Sequence, residues 1–174
     1  KSSPDYWRLI GNVNIRHNQT DMFCDSAHYF SEKEKIIAYV NVKVKTGDSI
    51  NISGDILNYD GENKVAIISS NVILINKENI LNSQRLIYNI QKKKISFNSL
   101  SEISEGNQKI SAKKGIYKID SKTYQFNDSV NYLNNNYQII TNHLISDEKN
   151  QVTVLKGPSE ILFDNKLVFC EQAN

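Results

Sequence analysis

Val40-Asn-Val-Lys-Val44 is followed after a short polar break by Ile50-Asn-Ile52, and in both stretches every second residue is apolar. A strand sends successive side chains to opposite faces, so this alternation gives one oily face and one wet face. The first stretch has counterparts along the whole chain: Gly11-Asn-Val-Asn-Ile15, Ser70-Asn-Val-Ile-Leu74, Ser99-Leu-Ser-Glu-Ile103, Asp128-Ser-Val-Asn-Tyr132 and Gly157-Pro-Ser-Glu-Ile161. The starts at 11, 40, 70, 99, 128 and 157 are separated by 29, 30, 29, 29 and 29 residues. A fixed period of this size marks a repeat architecture. One unit cannot bury its apolar face alone, so neighbouring units must stack.

A second segment recurs within the units: Met22-Phe-Cys-Asp-Ser-Ala-His-Tyr29, Ile52-Ser-Gly-Asp-Ile-Leu-Asn-Tyr59, Leu81-Asn-Ser-Gln-Arg-Leu-Ile-Tyr88, Ile110-Ser-Ala-Lys-Lys-Gly-Ile-Tyr117 and Ile139-Ile-Thr-Asn-His-Leu-Ile-Ser146. Tyr29, Tyr59, Tyr88 and Tyr117 predict a ladder along one edge of the array, which fixes register or lines a groove. Polar stretches follow, among them Ser31-Glu-Lys-Glu-Lys35, Asp60-Gly-Glu-Asn-Lys64 and Asp147-Glu-Lys-Asn150. Their Asp, Asn, Gly and Ser residues make turns by bonding their own backbone or by tolerating unusual dihedrals. Isoleucine and asparagine occur 23 times each, so isoleucine is assigned to the pleated, half-buried surface and asparagine to the wet face or to bends. Pro4 and Pro158 are placed at strand starts. No window carries apolar residues at helical spacing behind a capping signal. The expected fold is all-β, with two or more short strands per unit of about 29 residues, and residues 1–174 form one elongated domain. Lys166–Asn174 aligns with the second half of a unit and stops short of the tyrosine position, so the chain is expected to be cut from a longer array.

Composition bounds the function. The hydrophobic share is 39%, below the usual ~45–50%, as a narrow core between facing strands would give. The net charge is +2 and the lysines are spread through the turns, which argues against the clustered basic face of a nucleic-acid binder. No run of about 18 apolar residues is present to cross a membrane as a helix. Cys24 and Cys170 occupy equivalent positions five units apart. If each unit adds one strand to a sheet, about 24 Å separates them. A disulfide requires Cα atoms within about 7 Å, so no bridge is expected.

The chain offers little covalent chemistry. His17, His28 and His143 have no histidine or cysteine at metal spacing. Asp25 and Asp55 hold matching positions and could in principle act as a carboxylate pair on a glycoside, yet Gln84, Lys113 and Asn142 follow in the same row. They read as satisfied turn or strand-end aspartates. No phosphate-binding loop, dinucleotide fingerprint or nucleophile elbow occurs. The sequons at Asn18, Asn51 and Asn127 are what chance gives in so asparagine-rich a chain. No catalytic residue, metal site or cofactor is assigned, and the chain is not expected to be an enzyme.

The recurring pattern, seen best in Ile10-Gly-Asn-Val-Asn-Ile15, Cys24-Asp-Ser-Ala-His-Tyr29 and Ser53-Gly-Asp-Ile-Leu-Asn-Tyr-Asp-Gly61, resembles the OstA-like family of lipopolysaccharide-transport proteins over about residues 10–173. The Cys24-Asp-Ser-Ala27 wording is similar to Bacteroidota members. Ser101 and Ser159 depart from the valine and Ser146 from the tyrosine. The resemblance implies a β-jellyroll, or β-taco, of two facing antiparallel sheets open along one side. It implies a periplasmic carrier of lipopolysaccharide towards the outer membrane, with no covalent step. Partners would be the lipid A part of lipopolysaccharide and other Lpt-type jellyroll proteins, or a second copy, joined end to end by strand pairing. A groove between sheets shields acyl chains at roughly 0.8 kcal/mol per buried CH₂. Its candidate lining is Val13, Ile15, Val42, Val44, Ile50, Ile52, Val72 and Leu74. Candidate edges for pairing are Val13 and Ile15 at one end and Ile161 and Phe163 at the other. The alternation itself fits two further readings: a passive β-solenoid scaffold or adhesin-like module with a filled interior, and a β-helix enzyme acting on carbohydrate. A groove lining and a packed core alternate identically. A bulky polar residue at Val42 or Ile52 abolishes lipid binding in the first case and unfolds the chain in the second.

Overall fold

The computed structural model describes residues 6–17, 20–47 and 50–174; Pro4 and the sequon at Asn18 lie outside them. The chain runs as an antiparallel meander: β1 (Trp7–His17), β2 (Thr20–Phe30), β3 (Lys35–Thr46), β4 (Ile50–Asp60), β5 (Val65–Asn76), β6 (Asn79–Asn89), β7 (Lys94–Phe97), β8 (Ser101–Glu105), β9 (Gln108–Ala112), β10 (Lys114–Lys118), β11 (Thr123–Leu133), β12 (Tyr137–Asp147), β13 (Val152–Phe163) and β14 (Lys166–Ala173). A 3-10 turn at Ser31–Lys33 is the one helical element among the described residues. β7 and β8 are two halves of one interrupted strand, as are β9 and β10: β7 and β8 both pair with β6, and β9 and β10 both pair with β11.

Each full-length odd-numbered strand folds sharply at the segment that opens its repeat. Gly11 and Asn12, Val40 and Asn41, Ser70 and Asn71, Asp128 and Ser129, and Gly157 all have positive φ. The ladder shifts register at the same places, between Ile10 and Val13, Tyr39 and Val42, Ser69 and Val72, Asn127 and Val130, and Lys156 and Ser159. Left-handed backbone suits Gly and is tolerated by Asn. Val40 has neither advantage. Asn41 and Asn71 also brace the corner, donating from Nδ2 to Asp25 and Asp55 one strand back at 2.7 Å each. The two aspartates are therefore satisfied singly at corners. Pro158 sits in this bend inside β13 rather than at a strand start, where its missing N–H falls outside the ladder.

The bends divide the meander into two sheets. The front sheet takes pairs such as Ile36 with Tyr59, and the back sheet pairs such as Val44 with Ile52. At the spine joining them, Cys24, Gly54, Ser83, Ala112, Thr141 and Cys170 form one row, each opposite Val13, Val42, Val72, Ser101, Val130 or Ser159. The row is small because the sheets converge there: a Cβ on Gly54 would lie 2.5 Å from Ile68 Cγ2. Where serine replaces the valine, its hydroxyl finds a partner. Ser101 Oγ donates to Ser83 Oγ and Ser159 Oγ to Thr141 Oγ1, both at 2.8 Å and buried. Cys24 and Cys170 are free thiols. Each unit adds two bent strands rather than one, so ten strand spacings, about 48 Å at ~4.8 Å each, separate them.

The outer ends of the sheets form two lips. His17 of β1 meets Tyr59 of β4 edge-on at 5.9 Å between ring centroids. Asn76 Nδ2 of β5 donates to Tyr117 Oη of β10 at 3.2 Å. Each contact joins a back strand to the front strand three bent strands further along, an offset of the kind that sheet twist produces. Inward residues on early front strands and late back strands are therefore left without a facing sheet: Trp7 is 57% and Val168 40% exposed.

Val40→Gly is expected to stabilise the fold by roughly 0.5–1 kcal/mol, because the exposed valine loses only its left-handed penalty. Gly54→Val is expected to destabilise by about 1–3 kcal/mol through overpacking against fully buried Ile68. Urea unfolding of both variants checks the pair.

Candidate functional site

The eight residues expected to line a groove share one surface, the inner face of the back sheet across β1, β3, β4 and β5. All but half-buried Ile15 are buried, and they belong to one continuous core with Leu57, Ile68 and Leu86 of the front sheet. In this half of the chain the interior is filled. Above the core stand Tyr59, Tyr88 and Tyr117, all buried, in the front-sheet row that runs Tyr29, Ile36, Tyr59, Ala66, Tyr88, Ile95, Tyr117, Tyr124, Ser146, Thr153. The tyrosine ladder fills space beneath the lips, while Tyr29, on the overhang, is 38% exposed.

Past Tyr124 the row shrinks to Ser146 and Thr153, and the sheets part. A cavity of about 390 Å³ opens there, and both of these residues line it. Its floor is Ile103, Ile110 and Tyr132 from the back sheet and Phe126 and Leu144 from the front. Its lips are polar: Asn79, Glu105 and Gln108 on one side, Asp147, Glu148 and Gln151 on the other. A second cavity, of about 580 Å³, shares Tyr132 and Thr153 with the first and extends the trough along Ile139, Leu155, Ile161 and Phe163. Both volumes lie within the range of about 300–1,000 Å³ usual for ligand sites. The open trough is thus built from β8 to β14, beyond the eight expected residues. In the sequence, Ser146 stands only as a departure from the repeat's tyrosine. In space, it is a missing ring.

Aromatic rings stiffen the walls. Tyr117 and Tyr124 stack at 4.2 Å between centroids and 14° between planes, and Tyr132 and Tyr137 at 5.5 Å and 16°. Burial, reinforced by Tyr137, pushes the Tyr132 hydroxyl up to about 12. Burial likewise raises Tyr124 and Tyr117, so both stay neutral. At the mouth, burial first and the facing Glu105 second push the Glu148 carboxyl above its ordinary range, against the opposing pull of Tyr124, Lys122 and Lys77.

The edges differ in part from expectation. Val13 and Ile15 stand on β1, an outermost strand of the described sheet, but their side chains face inward. Ile161 and Phe163 belong to β13, which is paired on both sides. The outermost strand at that end is β14, because Lys166–Ala173 completes another hairpin arm.

Such a meander, bent across two facing sheets around an apolar-floored trough, is a β-jellyroll. The family model described as OstA-like protein matches residues 1–142, and the chain belongs to that family. Among solved structures it is similar to LptH, the LptA-homologous periplasmic component of the lipopolysaccharide transport device of Pseudomonas aeruginosa. The TM-score is 0.57 at 10% identity, with 71% of this chain and 95% of that chain covered, a likeness that concerns the fold. No curated protein matches the chain in sequence.

Glu148 gives this site a pH signature. Its folded pKa is raised, so the folded state binds more protons than the unfolded one between the unfolded and folded pKa values, and stability falls as pH rises through that window. Glu148→Gln is therefore expected to melt higher than the parent near neutral pH and to lose this advantage below about pH 4, where both carboxyl forms are protonated. Thermal melts of both proteins across that range check it.

Proposed function

We propose that the chain carries lipopolysaccharide in the periplasm, holding acyl chains on the trough floor between β8 and β14 while the headgroup stays at the polar lips. The observation that carries this is the trough's section, apolar on the floor and rich in amides and carboxylates at the rim. That section matches an amphiphile whose sugar hydroxyls, rather than its phosphates, face these lips. Membership of the OstA-like family and the jellyroll shared with LptH support the same reading. Each methylene moved from water onto the floor contributes roughly 0.8 kcal/mol, so a lipid with several chains is retained without any covalent bond. No cofactor or catalytic group enters the scheme, and no described helix is long and apolar enough to cross a membrane.

The filled half bears on the rival scaffold reading. From β1 to β6, apart from overhanging Trp7 and Tyr29, the interior is packed as a scaffold's would be. Lipid reaches Val13, Val42 or Ile52 only if the lips part at His17–Tyr59 and Asn76–Tyr117. Cargo is therefore assigned to the open half, and Ile52→Asn is expected to unfold the chain rather than to spare the fold and abolish binding.

Ser146→Tyr tests the assignment, because it restores the repeat's own ring at the place where the trough opens. The variant is expected to keep the fold, by circular dichroism, and to bind lipopolysaccharide about tenfold more weakly, since a few methylene contacts are lost. Undiminished binding by the folded variant contradicts a cargo site in this cavity.

End-to-end association is part of the same proposal. β1 and β14 each have one side unpaired within the described sheet, and their free N–H and C=O groups invite a strand from another Lpt-type jellyroll or a second copy. Light scattering is expected to show mass rising with concentration. A strict monomer at about millimolar concentration, where weak strand pairing would saturate, counts against it.

A further inference from the structure

The front sheet is apolar on its outer face as well as its inner one. Ile37, Ile67, Ile87, Ile116, Ile145 and Val154 lie in a single outward row, interrupted by Asn58, Ser96 and Gln125. All six are half-buried. The row crosses eight strand spacings from β3 to β13, about 38 Å at ~4.8 Å each. At the β3 end it sinks into a depression of about 600 Å³ lined by Phe30, Ile37, Val65 and Ile67, with Lys33 and Lys35 beside it.

Charge on this face is one-sided. Flanking the row between β3 and β13 are Lys35, Arg85, Lys94, Lys114, Lys118 and Lys156, against Asp60 and Asp147. Over the same strands the outer face of the back sheet carries Lys43, Lys45 and Lys109 against Glu102 and Glu160. The cations are therefore gathered on the front. A second copy laid face to face would set like charges against each other, so the occupant is anionic.

We propose that the outer face of the front sheet docks on an anionic phospholipid leaflet. An apolar row between lines of lysine fits phosphates over hydrocarbon, to which basic residues near the surface add attraction that falls with salt. Aromatic rings, amphipathic except for Phe30, gather at one end of the face: Tyr6 lies 4.6 Å from His28 and 5.4 Å from Phe30 by centroids, and His28 lies 5.5 Å from Tyr39. Rings with an apolar body and a polar tip belong at a membrane–water boundary. The face is separate from the trough, so docking and cargo do not compete, and the proposal does not depend on what the trough holds.

Co-sedimentation of the chain with vesicles tests it. Binding is expected to mixed phosphatidylethanolamine and phosphatidylglycerol vesicles, with weakening by salt and none to phosphatidylcholine vesicles. Lys114→Glu with Lys118→Glu, both on exposed positions of β10, is expected to reduce the association about tenfold or more. Lys43→Glu with Lys45→Glu, the same charge change on the other outer face, is expected to leave it intact. Equal loss in the two double variants, equal binding to both vesicle types, or no binding by the folded parent overturns the proposal. The last result would leave an acidic protein as the partner for this face.

Discussion

The structure depends on a backbone constraint: a pair of residues, most often both left-handed, set in the middle of a strand. It turns each long strand through the corner and commits its two halves to different sheets. The small-residue spine follows from it, because side chains on the inside of a sharp corner have no room. So does the alternation of inner and outer faces, which must restart after each corner in the right phase. A one-residue slip there would turn every inward valine outward. The corner bonds from Asn41 to Asp25 and from Asn71 to Asp55 hold neighbouring bends in phase.

Given the corner, the rest of the interior is a question of filling. Branched aliphatics and the tyrosine row fill the first half up to the lips, and contacts such as Asn76 with Tyr117 close it. The second half has the same backbone and smaller side chains at the lip positions. Small residues at Ser146 and Thr153, together with back strands that run past the facing sheet, separate a cavity from a core within one architecture. A repeat protein can vary this way locally, because each unit answers only to its neighbours.

Much of the fold was legible in the residues. The strands, the polar turns and the inward side of Val42, Val44, Ile50 and Ile52 follow from alternation and period, whereas the antiparallel order came only with the family resemblance. The bend was only half visible: Gly11-Asn12 announces a left-handed pair, while Val40-Asn41 announces nothing except through its asparagine. The lateral offset of the sheets was invisible, because it arises from twist rather than from any residue. The trough was hidden for another reason. Alternation marks which residues point inward but carries no information on whether the space they face is full. The outer isoleucine row was legible in principle, since Ile36-Ile37 and Ile67-Ile68 put apolar residues on both faces at once.

The most direct test of the central claim, that the inner faces share a trough open between β8 and β14, is nuclear Overhauser contact between isoleucine methyls and the acyl chains of bound lipopolysaccharide. The account predicts contacts to Ile103, Ile110, Ile139 and Ile161, and none to buried Ile52 or Ile68. Acyl contacts confined to outward methyls such as Ile73 and Ile140, or absent from all four trough residues in a saturated complex, would contradict it.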